Sequence, residues 1–323
     1  MFESFGRGFR MIWASIKMSS QDMRLLLPSV LTVFTNFFFA SVLLIQGRQR
    51  MGGSTSGMMH QAGSLLTQGG LNGSMDPSGF GSFGNLLTGD TMMLATCIFA
   101  LWWLTNRFLE GVTTALVYSH LTEGAGTGRF SVACQAVFSS LPAIVTLGVV
   151  TFFAKKLAGW MRDRRGGGIF GFGVNFLSQV VEVFWTLAGH LILPAIVIEG
   201  TSFWGALKRA DRIAQGNLLT IGVGEVGVDA ICKAVSFLVY LIGVGCFGGF
   251  MYLRSQNIQV ALPLIGMMAL SWACMVVVVT AASIYIRAAF YTCLYVWAIE
   301  SEAVEEAHRH RVSAPAPLAA ALA

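Results

Sequence analysis

Glu225, Asp229 and Lys233 stand four residues apart in the stretch GVGEVGVDAICK, Gly222 to Lys233. That spacing puts all three on one face of a helix. Two carboxylates and an ammonium on one face can hold a proton, pass an ion or lock two helices together. The first six residues also satisfy G-x-G-x-x-G, the glycine pattern that seats a dinucleotide pyrophosphate. Such a site needs a strand before the glycines and a carboxylate about 20 residues beyond them for the ribose. Only LLTI precedes these glycines, and no carboxylate follows Asp229 until Glu300. They read instead as packing points between helices, and Gly245 and Gly249 repeat the theme, because small residues let backbones approach in lipid. GGGIFGFG at 166–173 lacks the G-K-[ST] ending of a phosphate loop.

Five more polar groups interrupt apolar runs: Arg107, Glu110, Glu182, His190 and Arg287. A charge near the centre of a bilayer costs about 2.5–3.5 kcal/mol on insertion scales, so these groups should face inward toward one another and toward Glu225, Asp229 and Lys233. Together they form one balanced polar set, with His190 able to switch its charge. Two functions fit: ion pairs that fix which helices neighbour each other, or a pathway for a proton, ion or small solute. Geometry separates them. A stripe lining a water-filled cavity favours transport, and a stripe consumed by pairing with Arg107 or Arg287 favours a structural role. Intramembrane catalysis is the least supported reading, since H-E-x-x-H, G-x-S-x-G and paired-Asp motifs are absent. The six cysteines are scattered, form no C-x-x-C and lie at no metal spacing to a histidine. Met58, Met59 and His60 are too few soft ligands for copper. No cofactor and no metal is expected.

The solvent of these helices follows from composition. Of 323 residues, 55% are hydrophobic and 11% charged, against about 25% charged in soluble domains. The mean hydropathy is +0.67. An all-α integral membrane protein follows, with about six transmembrane helices. A net charge of +5 matches Lys and Arg flanking the spans. No basic face with interleaved aromatics points to nucleic acid.

Residues 1–24 form an amphipathic surface helix, with Phe2, Phe5, Phe9, Ile12, Trp13 and Ile16 set against Arg7, Arg10, Lys17 and Arg24. The first span, 25–45, carries no charge and is long enough to cross about 30 Å of hydrocarbon. Residues 46–90, rich in Gly, Ser and Met, read as a flexible extramembrane loop. A helical membrane domain covers 91–300. Its spans fall near 91–118, 142–155, 170–198, 218–250 and 261–299, the last too long for one straight crossing unless it breaks near Ser283 to Arg287. Residues 201–216 form an interfacial elbow that Gly216 and Asn217 should stop. There Phe203, Trp204, Leu207 and Ile213 suit the acyl boundary, and Lys208, Arg209 and Arg212 suit lipid phosphates. The tail, 301–323, is expected to be disordered. The Lys/Arg bias places the N-terminus in the cytoplasm, although the cluster Lys155, Lys156, Arg162, Arg164 and Arg165 opposes it.

LPAIVIEGTSFWGALKRADRIAQGNLLTIGVG, Leu193 to Gly224, resembles a pattern in uncharacterised bacterial and archaeal multi-pass membrane families and in the membrane domain attached to some glycerophosphodiester phosphodiesterases. The pattern sits on Pro194, Glu199, Gly200, Ala206, Leu207, Lys208, Arg209, Gly216 and Asn217, with Ala210 where the family often has Ser. The layout of the last helix, with Arg287, Tyr291 and Tyr295, is similar. The resemblance implies an α-helical fold with an interfacial elbow. It does not imply phosphodiesterase activity, because this chain lacks the catalytic domain of those enzymes.

The expected function is a non-catalytic component of the bacterial cytoplasmic membrane that organises lipid or partner proteins, including a second copy of itself. The alternative is a transporter or channel that uses the charged stripe on the fifth span.

Overall fold

The computed structural model describes residues 13, 15–50, 89–163, 189–255 and 262–303. These residues are helical apart from short connections, and no strand occurs among them. The first twelve residues of the expected surface helix, most of the 46–90 loop, the first part of the fourth span and most of the tail lie outside them. The helices are α1 (15–21), α2 (Leu27–Arg50), α3 (Gly89–Glu123), α4 (Phe130–Ser139), α5 (Leu141–Asp163), α6 (Gly189–Glu199), α7 (Phe203–Ser255) and α8 (Leu262–Ala303). In lipid a helix satisfies its backbone polar groups internally, which is why such apolar runs fold this way.

Local chemistry explains the breaks. Asp22 stops α1 and caps a 3-10 turn over Met23–Leu26, with its Oδ1 accepting the Arg24 N–H at 3.0 Å. Pro28 then sits in the first turn of α2, where its missing N–H costs nothing. The turn between α3 and α4 contains Gly124 and Gly126 at φ +97° and +82°, conformations that side-chain-bearing residues rarely adopt. At Ser140 the chain bends by 62° between α4 and α5. Pro142 lies two residues on, cannot donate to the preceding turn, and disfavours helix in the residue before it. The Ser140 hydroxyl turns back onto the Ala136 carbonyl at 3.1 Å.

Gly216 and Asn217 do not stop the elbow. Helix α7 runs unbroken over 53 residues, about 80 Å at 1.5 Å per residue. A mid-helix glycine costs only about 1 kcal/mol, less than freeing backbone groups in an apolar setting. Helix α8 is likewise continuous over 42 residues, with no break near Ser283 to Arg287.

Among the described residues, three helical segments are long and apolar enough to cross a membrane: Met23–Leu43, Gly227–Tyr252 and Ile265–Ile299. The bent α4–α5 pair makes a fourth if it counts as one span. The expected second span is a helix, α3, but its middle carries Asn106, Arg107 and Glu110 and it is not among the three. Of the expected fourth span, only the short apolar α6 is described.

The core gathers Val112 and Leu116 of α3, Val137 of α4, Ile144 of α5, Ile192 and Ile196 of α6, Ala206 of α7 and Tyr285, Ala289 and Tyr295 of α8. Trp102 ties α3 to α2 by donating its Nε1–H to Asn36 Oδ1 at 2.7 Å. Close approaches rest on glycine: a Cβ on Gly148 of α5 would run into the Trp103 ring of α3, and one on Gly243 of α7 would run into Trp272 of α8. Trp272 also donates Nε1–H to the Val239 carbonyl at 3.1 Å and meets Tyr240 edge-on. Gly245 and Gly249, expected as packing points, have open space where a Cβ would go. Beyond the Gly243–Trp272 seam, α7 and the first half of α8 show apolar side chains in nearly every direction: Phe237, Leu238, Leu241, Ile242, Val244, Met267 and Leu270 are all exposed.

Candidate functional site

Helix α8 organises the polar groups. Arg287, Tyr291 and Tyr295 recur every four residues and so share one face. Each meets a polar or charged group from another helix.

At the first level, Arg287 Nη2 donates to Asp229 Oδ1 at 2.9 Å, and Lys233 Nζ lies 2.7 Å from Asp229 Oδ2. Both oxygens of the carboxylate are therefore engaged. The Arg287 side chain is 12% exposed and the Lys233 side chain 54%. Arg287 is thus the committed partner, while the Lys233 ammonium reaches outward on its flexible stem. The three groups carry one positive charge in excess. The Glu225 side chain, one turn earlier, lies outside the described residues. Cys232 is buried beside this triad, within electrostatic reach of Arg287 and Asp229.

At the second level, the imidazole of His190 stacks on Tyr291, with centroids 4.5 Å apart and planes 8° apart. Its Nδ1 lies 3.7 Å from Glu110 Oε1. The other oxygen of Glu110 accepts from Arg107 Nη1 at 2.7 Å, and the Arg107 guanidinium sits over Trp103 at 5.8 Å. Arg107 and Glu110 neutralise each other here, with the His190 ring beside them in a half-buried patch.

At the third level, Glu199 ends α6 and Arg209 lies two turns into α7. Arg209 Nε donates to Glu199 Oε1 at 3.2 Å. The turn that joins them is built for reversal. Gly200 takes φ +61°, and Ser202 caps α7, its Oγ accepting the Gly205 N–H at 3.4 Å. Phe203, Ala206, Ala210 and Ile213 face the core, while Lys208, Asp211 and Arg212 face outward.

The balanced polar set expected from the sequence is thus divided. Arg107 joins Glu110 and His190, Arg287 joins Asp229 and Lys233, and Glu182 lies outside the described residues. Of the three expected headgroup contacts, Lys208 and Arg212 are exposed and Arg209 is held by Glu199. The i,i+4 pair Asp229–Lys233 was legible as spacing; the i,i+3 pair Arg107–Glu110 and the roles of Tyr291 and Tyr295 beside ion pairs were not read. Among the described residues, no group of three or more His, Cys, Asp or Glu side chains could hold a metal ion. Compared with known proteins, the chain matches no family model, no curated protein and no solved structure.

Proposed function

We propose that the chain is a non-catalytic multi-pass membrane protein that organises lipid or partner proteins. The observation that carries this reading is the saturation of Asp229, whose two oxygens are taken by Arg287 and Lys233. A carboxylate that relays an ion must exchange partners, whereas one pinned between two cations fixes the pairing of α7 with α8. Supporting it, the α7–α8 hairpin offers apolar side chains on faces that its own chain leaves uncovered. Acyl chains or another apolar helix fit such a surface.

Six crossings belong to the same proposal: α2, α3, the α4–α5 unit, the 170–198 segment, the later part of α7, and α8. So do the bacterial cytoplasmic membrane, a cytoplasmic N-terminus and a relation to the multi-pass families that the Glu199–Gly200 elbow resembles. Transport through the charged stripe is the rival reading.

The test extracts the full chain from its membrane in polymer-bounded native discs. The lipids around it are compared with the bulk membrane, and neighbours are captured by cross-linking beforehand. The proposal expects enrichment of a lipid class or one reproducible neighbour, a second copy included. A lipid shell identical to the bulk with no neighbour, together with solute flux in proteoliposomes that Asp229→Asn abolishes, would overturn it in favour of transport.

A further inference from the structure

The third polar level contains a buried hydroxyl that makes no well-formed hydrogen bond. It is the phenol of Tyr295, a residue 0% exposed. The Glu199 carboxylate and the Arg209 guanidinium stand at the margin of bonding reach of it. Burying a hydroxyl without a partner costs stability, and native proteins rarely tolerate it without a use. Ser29, His120 and Tyr285 also bury a polar atom without a partner, but only Tyr295 does so beside an arginine–carboxylate pair among the described residues. That place borders the start of the 53-residue α7, where the helix dipole favours an anion. Lys208 and Arg212 are exposed on the same two turns, and Trp204 stands 66% exposed beside them. Glu199 is poorly placed for a carboxylate in one respect: it sits at the negative C-terminal end of α6, held there by Arg209.

We propose that Arg209 and the Tyr295 hydroxyl form a seat for the phosphate of an anionic phospholipid, and that Glu199 is the placeholder which the phosphate displaces. The guanidinium offers a planar fork of donors suited to phosphate oxygens. The phenol supplies one further O–H donor. Lys208 and Arg212 attract the headgroup from outside, and Trp204 meets the upper acyl chain, as aromatic residues do at the membrane interface. Asp211, the other carboxylate on these turns, faces outward. This seat rests on the lipid-organising reading above and names the lipid chemistry it would recognise.

Tyr295→Phe is the probe, because it removes a hydroxyl that makes no well-formed hydrogen bond. The purified full chain in uncharged detergent is titrated with dioctanoyl phosphatidylglycerol, dioctanoyl phosphatidylcholine or inorganic phosphate, and thermal unfolding is followed by tryptophan fluorescence. Phosphatidylglycerol should raise the Tm of the wild type in proportion to its occupancy, and the other two should not at equal concentration. Tyr295→Phe should unfold no lower than wild type without lipid, yet bind phosphatidylglycerol about tenfold more weakly. Arg209→Gln should lose the response, and Glu199→Gln should strengthen it by removing the competitor. A wild-type lipid response in Tyr295→Phe would overturn the seat, leaving the hydroxyl to a trapped water. An equal response to phosphatidylcholine would overturn it in favour of acyl burial alone, and an equal response to inorganic phosphate would replace the lipid by a free anion. Lipid enrichment or a captured neighbour in native discs would survive any of these failures, so the two readings fail separately.

Discussion

Replacing Asp229 by asparagine should destabilise the protein through Arg287 rather than through Lys233. The substitution preserves shape but removes the charge that both cations address. Lys233 is 54% exposed along its side chain, so its contact is worth at most about 1 kcal/mol, as for other solvated pairs. Arg287 is 12% exposed and is left without its counter-ion in an apolar setting. Orphaning a fully buried charge costs about 3–5 kcal/mol, but the Asp229 side chain is itself 30% exposed, which lowers the expectation. Interhelical polar contacts measured in membranes average about 0.6 kcal/mol and reach about 1.7. The combined loss should be about 1–3 kcal/mol. Removing Arg287 as well cures the orphan, so Asp229→Asn/Arg287→Met should recover part of it, with a coupling of about 1–2 kcal/mol. Denaturant unfolding in mixed micelles, run on the wild type, both single variants and the double variant, measures this. Additive losses, or an Asp229→Asn protein as stable as the wild type, would refute the claim that Asp229 serves to pair α7 with α8.

Gly243→Val should push Trp272 off its seat and break its hydrogen bond to the Val239 carbonyl; overpacking of this kind costs about 1–3 kcal/mol, and a changed Trp272 emission in a chain retaining only that tryptophan reads it. Gly200→Val should cost about 1–2 kcal/mol, because φ +61° crowds a side chain against the backbone, whereas Gly245→Val, which meets open space within the chain, should be far milder in detergent micelles; thermal unfolding of the two side by side checks the contrast.

Much of the fold was legible because long apolar runs leave the backbone few choices but to satisfy its polar groups within a helix. A charge-free run such as Leu25 to Ile45 must form a helix if it enters a bilayer, and α2 follows it closely. The polar residues that break such runs were legible as candidates through the cost of burying charge, and Asp229 does meet Arg287 from a distant part of the chain. Spacing also exposed the Asp229–Lys233 pair within one helix. Gly216 and Asn217 misled, because their turn preference is weak beside the hydrogen bonds of a continuous helix. The partners of Gly148 and Gly243 could not be read, since Trp103 and Trp272 reach them across separate helices and any of the eight tryptophans could have done so. The Glu199–Arg209 pair depends on the reversal at Gly200, and the Tyr291–His190 stack on how α6 crosses α8. Neither leaves a periodic trace.

Cys232 gives the most direct test of whether the charged stripe is sealed. It lies less than one turn from Asp229 and is 4% exposed. In a chain that keeps Cys232 and replaces the other five cysteines by alanine, a charged, membrane-impermeant thiol reagent is applied to intact membranes from each side in turn. A stripe consumed by ion pairs predicts that Cys232 stays unmodified until the protein is unfolded. Rapid modification of the folded protein from either side would reveal a water-filled path at Asp229 and contradict the account.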